Sequence, residues 1–246
     1  MDLNPVFDDG AHGRAKIGYV LLATEQTIED DVYRLRPDGV GVHFTRVPIP
    51  DSITVSTLGD IGDSLAEAAA LLLPDGTLDV VAYACTSGSV VLGEDHIFAE
   101  LNRGAPGAKA TSLITGVMRG LRAVGAKRIV VGTPYLDEIN RIEAHYMGRC
   151  GFDVLAIHGL NIERDSDMVR VAPGYIADFA KSIDRPDADA VFVSCGALRT
   201  LAVVDAVESA LGKPVIASNQ AMIWDTLRLA GIGDPIEGYG SLLRDH

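Results

Sequence analysis

Eight short apolar runs alternate with amphipathic stretches along almost the whole chain, at 17–23, 40–47, 80–84, 110–114, 128–132, 154–158, 190–194 and 215–218. Each is short and apolar, so each reads as a strand buried on both faces. Helical periodicity fills the intervals at 64–73, 115–124, 136–149, 173–183, 201–211 and 221–230. Strands separated by helices need crossover connections, which gives an α/β fold with parallel sheets. In such folds ligands bind at the carboxyl ends of strands.

The alternation is also a duplication. The segment 15-AKIGYVLLATE-25 matches 126-AKRIVVGTPY-135, and 79-DVVAYACTSGS-89 matches 189-DAVFVSCGALRT-200. Both pairs agree on nearly one offset, which registers Cys85 with Cys195 and Glu25 with Tyr135. Two similar half-domains are expected: 15–118 together with 220–246, and 119–219, after a flexible lead-in at 1–14. A pseudo-two-fold axis between them would turn their strand ends toward one cleft and bring two thiols to one ligand from opposite sides.

Each cysteine ends an apolar strand and is followed by small residues, Thr86, Ser87 and Gly88 in one copy and Gly196 and Ala197 in the other. At such turns backbone N–H groups face an anion. A helix N-terminus there would lower a thiol pKa, and the same amides would hold a carboxylate or an enolate. A single cysteine at a strand end is more often packing than chemistry; two at matched positions favour chemistry. Cys150, at a helix end before a glycine, reads as structural.

The remaining classes fall away. Net charge is −13, from 34 acidic and 21 basic residues, which argues against nucleic acid. No apolar run reaches about 18 residues, and the N-terminus lacks a signal-peptide pattern. Three cysteines, an odd number, fit reduced thiols in a cytoplasm. The six histidines show no ligand spacing for a metal. No GxSxG, P-loop or GxGxxG is present, so neither a serine hydrolase nor a nucleotide cofactor is indicated. Elimination leaves cofactor-free cysteine chemistry.

At 82-AYACTSGS-89, 120-GLRAVGAKRIVVGTPYLDEIN-140, 193-VSCGALRTL-201, 212-GKPVIASNQAMIWDTLRLAG-231 and 238-GYGSLL-243 the chain resembles the aspartate/glutamate racemase superfamily. Within it the resemblance is to the branch of maleate cis–trans isomerases and arylmalonate decarboxylases. It implies two Rossmann-like halves with four-stranded parallel sheets, a site between them, no cofactor and a homodimer as the default assembly. Cys195 is similar to the nucleophile or proton donor of the branch, and Cys85 to the second catalytic cysteine, which the decarboxylases lack. Thr86, Ser87, Tyr135 and the backbone at Gly196 match positions that hold a substrate carboxylate.

Two positions depart from the maleate isomerase pattern. Glu25 and Asp165 fall where those enzymes carry asparagines, and two carboxylates would repel an anion. A substrate with one carboxylate and a cationic or donor group suits them better. The run 22-LATEQTIEDDV-32 is similar to the ectoine-utilisation family, whose solutes have that charge pattern. Equally, Glu25 could only cap a helix starting near Thr27. The expectation is thus a two-cysteine isomerase or racemase of a small carboxylate. The alternatives are a decarboxylase using Cys195 alone and a non-catalytic two-lobed binding protein.

Overall fold

The computed structural model describes residues 4–8 and 10–246; residues 1–3 and 9 of the expected lead-in lie outside the described residues. The first half runs β1 (Ala15–Leu22), α1 (Ile28–Leu35), β2 (Val40–Val47), α2 (Val55–Gly59), α3 (Leu65–Ala70), β3 (Val80–Tyr83), α4 (Thr86–Leu92), α5 (Glu94–Gly104), β4 (Lys109–Ser112) and α6 (Leu113–Ala123). The second runs β5 (Arg128–Thr133), α7 (Asp137–Arg149), β6 (Asp153–Gly159), α8 (Asp165–Met168), α9 (Pro173–Ser182), β7 (Ala190–Val193), α10 (Val204–Leu211), β8 (Val215–Ala217), α11 (Ser218–Leu229) and α12 (Ser241–Asp245). All eight expected strands form. They make two parallel four-stranded sheets with the same order, β2-β1-β3-β4 and β6-β5-β7-β8.

The repeated Asp and the repeated Ala-Lys of the sequence meet in space. The Asp79 carboxylate, just before β3, accepts the Lys16 N–H at 2.8 Å. The Asp189 carboxylate accepts the N–H groups of Lys127 and Arg128 at 3.0 and 2.7 Å. Each aspartate therefore satisfies a backbone donor at the start of the neighbouring strand, which sets the register of β1 on β3 and of β5 on β7.

Two helical expectations change. The stretch 64–73 opens as a 3-10 turn at Gly62–Ser64 and its helix stops at Ala70. Leu73 precedes Pro74, which disfavours helical backbone at that residue, and Leu73 adopts φ 43° instead. The stretch 201–211 also opens as a 3-10 turn, Thr200–Ala202, before α10.

Both faces of each sheet are buried. Ile17, Tyr19 and Leu21 join Ile129, Val131, Phe192 and Ile216 in a cluster with Val117, Leu121, Met222 and Ile223 of α6 and α11. The alternate residues, Val20, Leu22, Val81, Val130, Val191 and Val193, face the outer helices through Leu58, Leu101, Ile176 and Val207. Full burial of such a side chain contributes ~1.5–3 kcal/mol. The inner layer crosses between the halves. α11 follows β8, yet Thr226 bonds Tyr19 at 2.8 Å and Asp225 accepts the Thr111 hydroxyl at 2.6 Å. Conversely Arg122 of α6 donates to the Cys150 carbonyl at 2.9 Å. α6 and α11 cross closely because Gly116 has no side chain: a Cβ there would lie 2.9 Å from the Ala221 carbonyl oxygen. Among the described residues no helix is long and apolar enough to cross a membrane.

Candidate active site

A sheet of order 2-1-3-4 reverses its winding between the first and third strands, and the crevice at that reversal is the preferred ligand site. The chain leaving β1 reaches Glu25, and the chain leaving β3 reaches Cys85. The chain leaving β5 reaches Tyr135, and the chain leaving β7 reaches Cys195. These four residues from two reversals line one cavity with Thr86, Ser87, Asp165 and Gly196. All eight residues singled out in the sequence thus converge. Leu22, Ile53 and Met168 supply apolar wall. The open space is about 20 Å³, room for roughly one water molecule.

Cys85 sits as the N-cap of α4. Its Sγ accepts the Gly88 N–H at 3.2 Å and lies 3.6 Å from the Ser87 hydroxyl. Gly88 is required: a Cβ there would stand 2.2 Å from the Tyr83 hydroxyl and 3.1 Å from Cys85 Sγ. Cys195 differs. No helix begins after it, contrary to the expectation of a helix N-terminus at both thiols; bends lead to the 3-10 turn at Thr200. Its φ of 101° is a strained conformation for a residue with a side chain. The loop is held from three sides. Cys195 N–H donates to Ser218 Oγ at 2.9 Å, Asn219 donates to the Gly196 carbonyl at 2.9 Å, and the Thr27 hydroxyl donates to the Ala197 carbonyl at 3.0 Å. Ser218 also lies 3.1 Å from the Thr86 hydroxyl, so the first residue of α11 ties both thiol loops together.

Burial decides the proton affinities. It pushes Cys85 up to about 11, with the Ser87 hydroxyl and Gly88 N–H opposing and Asp165 adding. It pushes Cys195 well above the ordinary thiol value, with Asp165 and Glu25 adding and the Tyr135 hydroxyl and Ala197 N–H opposing. The expected lowering by helix N-termini is therefore corrected: both thiols are 6% exposed, and desolvation outweighs the local donors. Burial likewise keeps the Tyr135 hydroxyl protonated, as a donor. Its turn is fixed by Thr133, which accepts the Tyr135 N–H at 3.1 Å and donates to Asn140 at 2.5 Å, while Asn140 donates to the Tyr135 carbonyl at 3.3 Å.

Glu25 does both things expected of it in opposition. Oε1 accepts the N–H groups of Gln26, Thr27 and Ile28 at 2.9, 2.5 and 3.0 Å, which caps α1, and the residue also lines the cavity. Burial pushes its carboxyl up to about 7, against those N–H groups and with Asp165 adding. Burial also raises Asp165.

A latch joins the two loops that bring Ile53 and Asp165 to the cavity. The loop after β2 pairs with the loop after β6 through an antiparallel bridge, Ser52 with Arg164. Ile53 N–H donates to the Glu163 carbonyl at 3.0 Å and Asp165 N–H to the Asp51 carbonyl at 2.9 Å. The Asp51 carboxylate accepts from Arg164 at 2.8 Å and from the Ser166 N–H and hydroxyl at 2.9 and 2.7 Å. Sequence reasoning missed Asp51, Asn140, Ser218 and Asn219. Ser218 and Asn219 carried one usable signal, since they follow the last strand directly.

The sequence model of the family described as arylmalonate decarboxylase matches residues 50–243, most of the chain. The chain belongs to the arylmalonate decarboxylase family. It is similar to the arylmalonate decarboxylase of Bordetella bronchiseptica, 36% identical over 143 residues that cover 57% of this chain and 60% of that enzyme. It is similar over more of its length to a maleate isomerase of Nocardia farcinica, 26% identical over 245 residues, 94% of this chain and 96% of the relative. Its fold matches a solved Nocardia farcinica maleate cis–trans isomerase, a cysteine-to-serine mutant with a covalently bound succinylcysteine intermediate. That match has a TM-score of 0.85 at 23% identity and covers 94% of this chain and 99% of the other. The family thus spans isomerases and a decarboxylase on one scaffold.

Proposed function

We propose that this protein is a cofactor-independent isomerase or racemase of a small carboxylate, working with Cys85 and Cys195 as a pair. The observation that carries the reading is that both thiols, from equivalent strand ends of two halves, line one small cavity. In a racemisation, one thiolate takes the proton from carbon, the C–H electron pair stays as an enolate, and the opposite thiol returns a proton. In a cis–trans isomerisation, the thiolate adds to an alkene carbon, the π electrons move toward the carboxylate, the C–C bond turns, and the thiolate leaves again. Both balance without an oxidant or reductant. The Thr86, Ser87 and Tyr135 hydroxyls and the Gly196 backbone are assigned to the substrate carboxylate.

The thiols are not equivalent. Cys85 Sγ accepts a backbone N–H and lies near a hydroxyl, donors that favour its charged form. We assign it as the thiolate and Cys195 as the acid. The covalent succinylcysteine of the Nocardia enzyme supports thiolate addition as chemistry this scaffold performs. For the substrate we propose a compound of the ectoine or hydroxyectoine kind, supported by 22-LATEQTIEDDV-32.

Decarboxylation through an enolate protonated by Cys195 is the second reading, favoured by the 36% match to arylmalonate decarboxylase. The deciding experiment is proton NMR in D₂O on the reduced protein with ectoine, hydroxyectoine, maleate, aspartate and a phenylmalonate. Carbon-bound deuterium or a new isomer, lost in Cys85→Ser, supports the isomerase. Release of carbon dioxide that survives Cys85→Gly overturns it in favour of the lyase. Exchange or isomerisation at the wild-type rate in Cys85→Ser overturns the two-thiol mechanism.

A further inference from the structure

The buried stripe of α1 contains a charge. Ile28, Asp31, Val32 and Leu35 are its buried residues, at the i, i+3, i+4, i+7 spacing of an apolar helix face, and Asp31 is 4% exposed. Acidic residues suit the first turn of a helix, but Glu29 and Asp30 serve that purpose from outward positions. Asp31 has a different partner. Its Oδ2 accepts from Asn219 Nδ2 at 2.9 Å, 188 residues along the chain. The same amide nitrogen donates its second hydrogen to the Gly196 carbonyl at 2.9 Å. Asn219 is itself buried, and its Oδ1 has no partner. Both amide hydrogens are therefore committed, one to a carboxylate and one to the residue after Cys195. Cys195 carries φ 101°, a conformation that persists only where its surroundings impose it. Of the bonds that hold its turn, this one leads on through a single side chain to a carboxylate. Turned by 180°, the amide would set Oδ1 against the Gly196 carbonyl and the Asp31 carboxylate, acceptors with no donor between them. A charged Asp31 thus fixes the amide orientation that holds Gly196.

We propose that Asp31 is a positioning residue that, through Asn219, holds the Cys195 turn in the conformation from which its thiol acts. This rests on the reading that Cys195 acts on substrate. A hydrogen bond to a carboxylate is roughly twice as strong as one between neutral groups, so the hold is firm while Asp31 carries its charge. Protonation gives Asp31 a hydroxyl of its own, which can bond the Oδ1 of a turned amide, and the Cys195 turn is then released. Burial pushes the Asp31 carboxyl up to about 6, with the Asn219 bond and Arg34 opposing and Asp30 adding. The hold therefore strengthens as pH rises through about 6 and fails as pH falls below it. Other charges nearby are placed as follows. Arg34, on the same helix, stands 3.7 Å from Asp31 and is half exposed. Arg199, from the turn after Cys195, faces the same depression of about 220 Å³ and donates to the Val171 carbonyl. Arg46 of β2 is paired with Glu29, and α11 presents the neutral Asn219. The depression shares no lining residue with the thiol cavity, so a proton reaches Asp31 without passing the thiols.

The test compares wild type with Asp31→Asn, which keeps the shape of the side chain and removes its charge. Each thiol is followed separately by iodoacetamide labelling and peptide mass spectrometry, from about pH 5.5 to about pH 8. At the alkaline end the variant should label Cys195 at least about fivefold faster than wild type, and Cys85 within about twofold. The Cys195 ratio should shrink toward one as pH falls below about 6, because wild type then loses the same charge. Ionisation of the thiols themselves occurs in both proteins and cancels. A general loosening of the fold would expose both thiols alike. Proton–nitrogen NMR of wild type needs no variant: the Asn219 side-chain amide, assigned by triple-resonance spectra, should titrate with a midpoint near 6. On a compound that undergoes deuterium exchange with wild type, Asp31→Asn should lower kcat at least about fivefold at the alkaline end and change KM less than about twofold. Equal acceleration of both thiols, an unchanged Cys195 rate, an Asn219 amide that does not titrate, or a wild-type kcat in the variant each overturns the proposal. The two readings fail separately. If no compound exchanges while the Cys195 effect is present, the isomerase fails and the positioning stands. If exchange needs both thiols while Asp31→Asn matches wild type in labelling and kcat at every pH, the positioning fails and the isomerase stands.

Discussion

Glu143 offers a measurement of how far burial governs this molecule. It lies on α7 with none of its surface exposed. One carboxylate oxygen accepts the Ser194 hydroxyl at 2.7 Å and the other has no partner. Ser194 immediately precedes Cys195, so the carboxyl sits directly behind the thiol loop. Burial pushes it from 4.5 up to about 7, against the Ser194 bond. A folded-state value above the unfolded one means that the native state holds the proton more tightly. The associated stability is fully present below about pH 4.5 and is lost as pH rises through about 7. The interval between 4.5 and about 7, at about 1.36 kcal/mol per unit, is about 3 kcal/mol. Glu143→Gln keeps an acceptor for Ser194 and does not ionise. Relative to wild type it is expected to gain about 3 kcal/mol between about pH 4.5 and about pH 8.5. For a chain of this size that corresponds to about 6–12 °C in Tm. The assay is urea unfolding followed by circular dichroism across that range, read as the difference between variant and wild type. Glu25 and Asp31 titrate in the same window, at about 7 and about 6, but they do so in both proteins and cancel. Stability curves that run parallel from pH 5 upward would refute the reasoning.

Cys85→Ser and Cys195→Ser should each lower kcat by at least about 10³, and the double variant should cost little more than either single one, because an acid and base that act together fail together. Steady-state kinetics on the substrate found by deuterium exchange checks this. Gly88→Ala pushes a Cβ toward the Tyr83 hydroxyl and Cys85 Sγ, so it should cost about 1–3 kcal/mol and change the alkylation rate of Cys85; a wild-type Tm would contradict it. Asp51→Ala removes the three side-chain bonds of the latch. Iodoacetamide should then modify both thiols at least about tenfold faster through a more populated open state, with Tm nearly unchanged, as mass spectrometry and calorimetry would show. Ser218→Ala deprives the Cys195 N–H of its acceptor and should cost about 1–3 kcal/mol together with a fall in kcat.

The sheets were legible because a strand buried on both faces has no choice but to be an apolar run, and eight such runs stand clear of their neighbours. The thiol pair was legible through the duplication. What escaped depends on distance or depth. α4 reads Thr-Ser-Gly-Ser at its start, a poor helix sequence, and forms because Cys85 caps it and the cleft packs it. The latch joins Asp51 to Arg164 and Ser166, a pairing with no local signature. The direction of the thiol shifts was misjudged for a related reason: turn residues reveal donors near a sulfur, but not how little water reaches it. Glu25 was legible as a cap, and the structure adds that the same residue lines the cavity.

The duplication supplies a frame, and its departures from symmetry supply the chemistry. Both halves share the strand order, the Asp that fixes register and the cysteine at the end of the third strand. A fully symmetric cleft would hold two thiols of equal proton affinity, and equal thiols are a poor acid–base pair, since each needs the opposite protonation state at the same moment. α4 gives Cys85 a capping N–H, whereas the strained turn at Cys195 begins no helix; Asp165 raises both thiols, and Glu25 raises Cys195. The other equivalent pair differs in charge: the first half presents Glu25 where the second presents the protonated Tyr135 hydroxyl. A carboxylate and a neutral donor at matching positions give the cavity two chemically distinct poles. Under the proposed two-thiol mechanism, that difference would fix one orientation of the bound carboxylate, so that one thiol takes a proton from one face while the other returns it to the opposite face.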